Sequence, residues 1–540
     1  MRTLLSFTVL ALASVVVAQP NVRPGTNVSL STLGSLGSPS GTSSRIGTYP
    51  TGQQSWGVST TSCNVGTVNV PWIRDMNVDH PQMGMWMYRE YNGRLEQIST
   101  FVGVKHGFTS TNSPGCGSCP GGAGTSLVIG CTDTYGASLN YSHTYMAPPS
   151  EIDPWTGIWT SVGSHFDRGF PVQNPPFNTD NVRSSISFSA PNQGYRNLVW
   201  DSELGQAGAA YWVSGYYNVI GEPDANRENN FATRSFSATW NGTSWSWNGS
   251  TGTHYATPAI YRWSGASVAS ATNNGGSDGR FYVAVKVTGP VAGIYHYEYA
   301  VFNRDNNRQG GSFSIPVCPT ASVTNMFFRD PDQTAGNNWS MTRNASEIVF
   351  TAPAGHVNDI SWGNMFNFAF DSDASPAGAT VSVGQANAGP GNPAVDVTSQ
   401  APLNVRNLHL GAGCGTPTAP QLAANGPASL GNAGFAINMS GVANGSSCWF
   451  LLSGVPAAIN LGGGCTLYLN PAAPYFTAAA TGSILGVATL SLPVPNDPNL
   501  TDAILAVQAL EIQTGGAYAG LLDLSSGLKV KLGTGNAGCN

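Results

Sequence analysis

Apolar side chains recur at every second position in several short segments of this chain, and this pattern is what most constrains its fold. In the segment "YHYEYAV", Tyr295, Tyr297, Tyr299 and Val301 lie on one face, and the residues between them lie on the other. This alternation is typical of a half-buried β-strand. The segment "WGNMFNFAF", which begins at Trp362, repeats it. Because no segment shows the period of an amphipathic helix, the sequence predicts an all-β protein.

The length of the chain predicts several β-sandwich domains in series, of immunoglobulin-like or jelly-roll-like type. The chain has 540 residues, whereas a single domain commonly holds about 100–200. Residues 19–55 are rich in Ser, Gly and Thr and lack periodicity, which predicts a flexible tail. The strand-like segments after them predict an N-terminal β domain with a cysteine loop (56–265), a β-sandwich domain (266–412) and a C-terminal β-sandwich module (413–540).

The first segment, residues 1–18, has the layout of a secretory signal peptide. Arg2 precedes an apolar run from Leu4 to Val17, and small side chains precede a predicted cleavage after Ala18. This run is too short to span a bilayer, and no later stretch reaches the roughly 20 apolar residues that spanning needs. The sequence therefore predicts an exported protein, extracellular, periplasmic or at the cell surface, without membrane insertion.

The low charge of the chain excludes one class of partner. Charged residues make up 9% of the sequence, the net charge is −6, and Lys and Arg form no cluster. Nucleic-acid binding needs a basic face that neutralises phosphates. We therefore expect no nucleic-acid partner, and extracellular glycans or envelope components become the favoured partners.

Nine cysteines predict disulfides, because an exported chain folds in an oxidising compartment. Since nine is odd, one thiol stays free, joins another chain or binds a ligand. The short connection between Cys448 and Cys465 favours a disulfide between them, and Cys414 and Cys539, which bracket the last segment, favour a second. The pairing of the other five stays open.

Residues 104–133 combine one histidine with three cysteines, namely His106, Cys116, Cys119 and Cys131. Zinc accepts these ligand types, but their spacing is not that of paired zinc knuckles. The motif "CGSC" is followed by "PGGAGTS" rather than by a helix, so the feature that activates a redox thiol is missing. We predict a glycine-rich loop stapled by disulfides, with zinc binding and redox chemistry as the alternatives.

The segment "MGMWMYREYNGRLEQISTFVGV" predicts a β-hairpin. Asn92-Gly93 is the strongest two-residue signal for a hairpin turn. This turn places Arg89 opposite Glu96, which predicts a cross-strand ion pair.

Extending the same register to the open end of the hairpin places Asp79 opposite His106, and His80 opposite Lys105 on the other face. A carboxylate and an imidazole together can bind a metal or act as acid and base. A bulge in either strand would instead favour a two-histidine arrangement. The alternative to a site is a hydrogen bond that fixes the mouth of the hairpin.

A second predicted hairpin, "FSATWNGTSWSWNGS", lines Phe236, Trp240, Trp245 and Trp247 on one face. If this row of rings is exposed, it can stack on sugar rings and bind glycans. If it is buried, it is part of the core, where large aromatic side chains most often lie.

The segment "DANRENN" gathers the oxygen donors Asp224, Asn226 and Glu228, which are of the kind that calcium takes. It departs from the EF-hand pattern, because Asn229 stands where the turn glycine belongs. The alternative is a polar turn held by side-chain hydrogen bonds.

No motif of a known enzyme class marks the chain. The nucleophile elbow G-x-S-x-G, the zinc motif H-E-x-x-H and the phosphate-binding loops are missing from the sequence. A pair of carboxylates for glycoside cleavage leaves no sequence signature, so Glu90, Glu151, Asp153 and Asp167 stay open as candidates.

The segments "SLGNAGFAINMSG", "GGGCTLYLN", "LSLPVPNDPNL" and "SSGLKVKLG" resemble the C-terminal β-module of large, uncharacterised secreted proteins from planctomycete-type bacteria. The segment "YHYEYAVFNRDNNRQGGSFSIPV" is similar to a companion module in those proteins. The resemblance covers about half of the chain and implies a bacterial, exported, modular protein without implying an activity.

These observations predict a secreted structural or adhesive protein of the cell envelope or extracellular space that binds glycans. A metal-assisted extracellular hydrolase that uses Asp79 and His106 is the alternative. A calcium-dependent carbohydrate-binding module without a catalytic domain is the third hypothesis.

Overall fold

The computed structural model shows an all-β protein, which confirms the predicted fold class. It describes residues 19, 21–40, 44–73, 76–107, 109–171, 179–189, 191–249, 254–273, 278–291, 294–319, 321–404, 407–482 and 485–533. The predicted signal peptide and Cys539 lie outside these residues. None of the helices within these ranges has the length and apolar character that a bilayer crossing requires.

The N-terminal domain contains short and long strands and two four-residue α-helices. Its elements are β1 (Val28–Gly37), β2 (Arg45–Ile46), β3 (Gln53–Ser55), β4 (Gly57–Asn64), β5 (Val70–Pro71), β6 (Gln82–Tyr91), β7 (Arg94–Gln97), β8 (Val104–His106), β9 (Ser113–Pro114), β10 (Ser126–Leu127), β11 (Cys131–Tyr135), α1 (Ala137–Asn140), β12 (Met146–Ala147), β13 (Ile152–Asp153), β14 (Ile158–Trp159), α2 (His165–Arg168), β15 (Leu198–Trp200), β16 (Ala210–Asn218), β17 (Phe231–Trp240) and β18 (Trp245–Gly249).

The main sheet of this domain has the order β12-β8-β6-β16-β17-β18, and its central strands β6 and β16 are buried on both faces. One face packs on a second sheet, β1-β4-β11-β9, where Leu30 and Met85 share a core. The other face packs on the next domain, where Trp86 and Phe302 share a core. Side chains of both parities on β6 are therefore buried, which explains its nearly continuous apolar sequence.

The prediction of a flexible tail at residues 19–55 is wrong for the parts of this segment that form strands β1, β2 and β3. Strand β1 pairs with β4 along its length from Val28 to Gly37. Val28, Leu30 and Leu33 are fully buried against the main sheet. The Ser and Thr residues between these apolar positions, and the Gly and Ser residues around them, give the segment the composition of a linker.

The middle domain is a sandwich of two five-stranded sheets, β19-β20-β21-β26-β23 and β24-β25-β22-β27-β28. Its strands are β19 (Ser267–Thr272), β20 (Arg280–Val291), β21 (Ile294–Asn303), β22 (Gly310–Pro316), β23 (Val323–Arg329), β24 (Ser340–Arg343), β25 (Glu347–Thr351), β26 (Met365–Ser372), β27 (Ser375–Gln385) and β28 (Ala394–Asn404). The predicted face of Tyr295, Tyr297, Tyr299 and Val301 lies in the core between these sheets.

The C-terminal module contains a larger sheet with the path β29-β39-β37-β32-β35, a sheet β30-β31-β36 and a hairpin β33-β34. Its strands are β29 (Asn407–Gly411), β30 (Gln421–Ala424), β31 (Ala436–Ser440), β32 (Ser447–Ser453), β33 (Pro456–Gly462), β34 (Cys465–Leu469), β35 (Tyr475–Thr481), β36 (Val487–Ser491), β37 (Ile504–Gly516), β38 (Gly520–Leu524) and β39 (Gly527–Lys531). Strand β29 precedes the predicted boundary at residue 413 and pairs with β39.

Short 3₁₀ turns connect several of these strands. They span His143–Tyr145, Pro149–Glu151, Asp201–Glu203, Asp224–Asn226, Ala259–Arg262, Ala335–Asn337 and Pro498–Leu500.

The disulfide of the C-terminal module differs from both predicted pairs. Cys414 is bonded to Cys465, with a Cα–Cα distance of 5.1 Å. The predictions of a Cys448–Cys465 and a Cys414–Cys539 disulfide are therefore wrong. Cys448 points into the core and is a free, fully buried thiol, and burial raises its pKa. Cys465, at the start of β34, packs in a small cluster with Cys414 and Leu524, whereas Cys448 lies in the main core of the module.

Glu222 is a buried carboxyl that connects the start of β1 to the loop before β17. Its Oε1 accepts a hydrogen bond from the backbone N–H of Val28 at 2.8 Å, and its Oε2 accepts one from the side chain of Asn230. Burial raises the pKa of Glu222 to about 7.

The raised pKa of Glu222 predicts a pH-dependent stability. The folded state holds this proton more tightly than the unfolded chain, whose Glu pKa is about 4.3. The contribution of Glu222 to stability is complete below that pH and is lost as the pH rises to about 7. We expect Glu222→Gln to gain stability relative to wild type between about pH 5 and pH 8, because glutamine stays neutral. Urea unfolding measures both proteins, and a constant difference would contradict the prediction.

Candidate functional site

The predicted hairpin forms around Asn92-Gly93, where both residues have positive φ, as a tight two-residue turn requires. Arg89 pairs with Glu96, and the Nη2 and Oε2 atoms of the two side chains lie 2.6 Å apart. The local register and the ion pair are confirmed.

The register changes beyond this turn, because the returning strand leaves the ladder after Gln97. Ser99 forms a β-bridge with Val199 instead, in a strand that is distant in the sequence. The chain pairs with β6 again only from Lys105, which lies opposite Met83. This detour adds residues on one side of the hairpin and shifts the pairing at its open end.

Because of this shift, His106 faces Gln82. The predictions that His106 opposes Asp79 and that Lys105 opposes His80 are therefore wrong. The structure produces instead the two-histidine arrangement that a bulge would favour.

The rings of His80 and His106 meet in the protein interior. The Nε2 atom of His80 and the Nδ1 atom of His106 lie 2.6 Å apart. The side chains are only 1% and 2% exposed and pack against Trp159, and His106 also contacts Phe166. Burial, with a smaller contribution from His80, lowers the pKa of His106 well below its ordinary value. An imidazole pair buried to this degree has no access to a substrate.

Asp79 takes no part in this histidine pair. Its Oδ1 lies 2.7 Å from the Nη2 of Arg23, in an ion pair near the surface. The hydrolase alternative therefore loses the carboxylate that was to act with His106.

The other candidate carboxylates have structural contacts. Asp153 and Asp167 accept hydrogen bonds from backbone N–H groups of their own turns, and Glu151 accepts one from the backbone N–H of His165 in α2. Glu90 accepts one from the backbone N–H of Ser264. These contacts are those of residues that hold loops in place.

The predicted calcium ligand Asp224 binds arginines of the middle domain. Its Oδ2 accepts a hydrogen bond from the Nη2 of Arg280 at 2.6 Å, and its Oδ1 accepts one from Arg304. Although burial opposes ionisation, Arg304 and Arg280 lower the pKa of Asp224 below its usual range. The charge that would attract calcium is already neutralised.

The two neighbouring ligand candidates are also engaged. The side-chain amide of Asn226 donates to the backbone oxygen of Thr26 at 2.8 Å, and Glu228 accepts a hydrogen bond from the Tyr282 hydroxyl. The side chains predicted to bind calcium therefore make structural contacts instead. Asp224 and Glu228 fasten the N-terminal domain to the middle domain, and Asn226 holds the segment before β1.

The cysteine loop is stapled as predicted. Cys63 is bonded to Cys116, and Cys119 to Cys131. Three of the four predicted zinc ligands are therefore oxidised to disulfides, and the fourth, His106, is hydrogen-bonded to His80. In the described part of the chain, no group of three or more His, Cys, Asp or Glu side chains is arranged to hold a metal ion.

The aromatic side chains of the tryptophan hairpin lie on one face, as predicted, but they are not equally buried. Trp240 pairs directly with Trp245 across strands β17 and β18. Phe236 and Trp245 are buried in the core at 6% exposure, whereas Trp240 and Trp247 are only half-buried. The row thus begins in the core and ends at the surface.

Tyr49 extends this row with an exposed ring. Its ring stacks on Trp240 with the centroids 4.1 Å apart and the planes inclined by 8°. It also meets the edge of Trp245 at 6.2 Å. Tyr49 is 45% exposed, so a ring face remains accessible for stacking on a ligand.

These rings line an open cleft of about 1010 Å³. Its remaining wall is mostly polar and uncharged, since Arg45 is the single charged residue among the described lining residues. The Arg45 guanidinium lies 5.0 Å from the centroid of the Trp240 ring and forms an ion pair with Asp201. The lining residues are Ser38, Pro39, Ser40, Ser44, Arg45, Gly47, Thr48, Tyr49, Gln54, Pro191, Trp240, Gly242, Thr243, Ser244, Trp245 and Trp247.

Hydrogen bonds hold the indole rings of the cleft in place. The Nε1 of Trp245 donates to the Oδ1 of Asp201 at 2.7 Å, and the Nε1 of Trp247 donates to the Oγ of Ser38 at 2.9 Å. Both acceptors lie outside the hairpin, so the cleft is built before any ligand arrives. A rigid aromatic surface with hydroxyl and amide groups around it matches the amphipathic faces of sugars.

No protein-family model matches the chain, and no curated protein matches it. Among solved structures, it is similar to a variant of BcpA, the major pilin subunit of Bacillus cereus, with 10% identity and a TM-score of 0.18. That match covers 62% of this chain and 89% of the pilin chain. A likeness at this TM-score supports no inference about the function.

Proposed function

We propose that this protein is an exported structural or adhesive protein of the cell envelope or extracellular space, and that it binds neutral glycans in the aromatic cleft. The observation that carries the glycan proposal is the exposed Tyr49 ring, stacked on Trp240 above a polar wall with a single, ion-paired charge.

Neutral glycans fit this surface for two physical reasons. The apolar faces of pyranose rings replace water on aromatic rings, while their hydroxyls need hydrogen-bonding groups such as Gln54, Thr243 and Ser244 at the cleft wall. The charge of Arg45 is already balanced by Asp201, so an acidic sugar would find no unpaired cation there.

Observations outside the aromatic cleft support export and a modular, structural role. The segment 1–18 has a signal-peptide layout, and disulfides persist in oxidising compartments. The docked β-sandwich domains and the resemblance to secreted planctomycete-type proteins support a modular architecture outside the cytoplasm.

Replacing the exposed ring tests the cleft directly. We expect at least one of cellohexaose, xylohexaose and chitohexaose to change the tryptophan fluorescence of the wild-type chain on titration. Tyr49→Ala should weaken that binding by at least about tenfold, or about 1.4 kcal/mol, because it removes the accessible ring. The melting temperature should stay nearly unchanged, because Tyr49 is at the surface.

Tyr261→Ala is the matched control, since Tyr261 is 38% exposed in the same domain and does not line the cleft. It should bind like the wild type. Failure of all three sugars to bind, or equal binding by Tyr49→Ala, would contradict the glycan proposal.

A further inference from the structure

Strand β35 is an open edge of the C-terminal sheet. It pairs with β32 on one side, in unbroken register from Ser447↔Thr481 to Ser453↔Tyr475. On its other side, no strand of the described chain pairs with it. The backbone N–H and C=O groups of such an edge can pair with a strand of another molecule.

The sequence of β35 lacks the usual protection of an edge strand. Natural edges carry Lys, Pro or a bulge that prevents pairing with other chains. Strand β35 reads "YFTAAAT", with no charge, no proline and no bulge against β32. Its Tyr475 and Phe476 are 58% and 75% exposed, and Trp449 on the neighbouring strand is 39% exposed. Exposed aromatic side chains beside an open edge mark an interaction surface.

The charge around this edge favours a second copy of the chain as the partner. No Asp, Glu, Lys or Arg occurs between Arg406 and Asp497. A partner with charged groups would have to lose their hydration against this surface without compensation. A second copy of β35 brings the same uncharged surface and the backbone groups that the edge needs.

The side chains of β35 are also self-complementary in an antiparallel pair centred on Ala478. In that register Tyr475 opposes Thr481 of the second copy, and Phe476 opposes Ala480. Thr477 opposes Ala479. Each large side chain therefore meets a small one, and the two-fold symmetry is that of most homodimers.

We propose that two copies of this protein associate through antiparallel pairing of their β35 edges, with Ala478 on the two-fold axis. The pairing joins the two C-terminal sheets into one continuous sheet and leaves the aromatic cleft of each copy free. This interaction is independent of glycan binding.

A charge-swap experiment tests the register. We expect sedimentation of the wild-type chain between about 1 and 100 µM to show a concentration-dependent dimer. The variant Thr477→Lys/Ala479→Lys and the variant Thr477→Glu/Ala479→Glu should each be monomeric, with dissociation constants raised by about a hundredfold or more, because like charges then oppose each other. An equimolar mixture of the two should form dimers again.

The control places the same charges on the edge of the other sheet, where Thr489 and Ser491 are exposed. Thr489→Lys/Ser491→Lys should dimerise like the wild type. A monomeric wild-type chain over the whole concentration range would overturn the proposal, and so would a Thr477→Lys/Ala479→Lys variant that still dimerises.

Cross-linking tests the position of the axis. Directly opposed residues of antiparallel strands have Cα atoms about 4.5–5.5 Å apart, within the range of a disulfide. Ala478→Cys should therefore oxidise to a covalent dimer on a non-reducing gel, whereas Ser491→Cys should stay monomeric. If Ala478→Cys and Ser491→Cys cross-link equally, or neither does, the axis at Ala478 is wrong.

Discussion

Asp305→Asn is expected to destabilise the protein by about 3–5 kcal/mol, the usual cost of removing one partner from a buried ion pair. Asp305 is fully buried, and its Oδ2 lies 2.8 Å from Arg227 Nη1 and 3.0 Å from Arg304 Nε. Its Oδ1 accepts the backbone N–H of Arg280. Asparagine preserves the shape but leaves two buried guanidinium groups with less negative charge. Urea unfolding followed by tryptophan fluorescence measures the loss.

The same substitution should also loosen the contact between domains, because Arg227 belongs to the N-terminal domain and Asp305 to the middle domain. Asp79→Asn is the matched control, since it removes a carboxylate from the partly exposed ion pair with Arg23. Its cost should be at most about 1 kcal/mol. Equal effects of the two substitutions would show that burial does not determine the strength of the Asp305 contacts.

The fold could be predicted from the sequence where one face of a strand meets the core. The alternation at Tyr295, Tyr297 and Tyr299 is a local pattern, and the structure buries that face as expected. The sequence did not predict strand β1, because Ser, Thr and Gly alternate with its apolar side chains between Val28 and Leu36 and give the segment the composition of a linker.

The candidate sites could be predicted only where their contacts are between residues close in the sequence. The turn at Asn92-Gly93 correctly fixed its immediate neighbours, but the pairing of His106 depended on a bridge from Ser99 to Val199 that no local pattern signals. The sequence shows that oxygen-donor side chains cluster around Asp224. Its arginine partners lie in another domain, so the sequence around Asp224 could not distinguish an ion-pair network from a calcium site.

Only part of the aromatic cleft could be predicted from the sequence. The hairpin with Trp240 and Trp245 was predicted from its turn and from the alternation of its side chains between two faces. Tyr49 was not predicted because it lies in the segment interpreted as a flexible tail, although the Pro and Gly residues of "GTYPTG" are turn signals. Residues from distant segments meet in the cleft, and their contact follows from packing rather than from spacing.

The mixed burial of the tryptophan row leads to a second large expected effect. Trp245→Ala should destabilise the N-terminal domain by about 3–5 kcal/mol, the cost of emptying a core aromatic site. Trp245 is 6% exposed in the core that contains Phe236, and its indole also donates to the buried carboxylate of Asp201. The substitution removes the packing and leaves the Asp201 oxygen without that hydrogen bond.

Trp449→Ala removes the same side chain from a position that is 39% exposed in the C-terminal module, and its cost should be well below that of Trp245→Ala. Urea unfolding of both variants gives the comparison. Sugar titration adds a second readout, because Trp245→Ala should lose binding together with stability, whereas Tyr49→Ala should lose binding alone. A stable Trp245→Ala variant that still binds would mean that Trp245 supports neither the core nor the cleft. The different responses of Trp245 and Tyr49 follow from one row of rings that starts in the core and ends in the cleft.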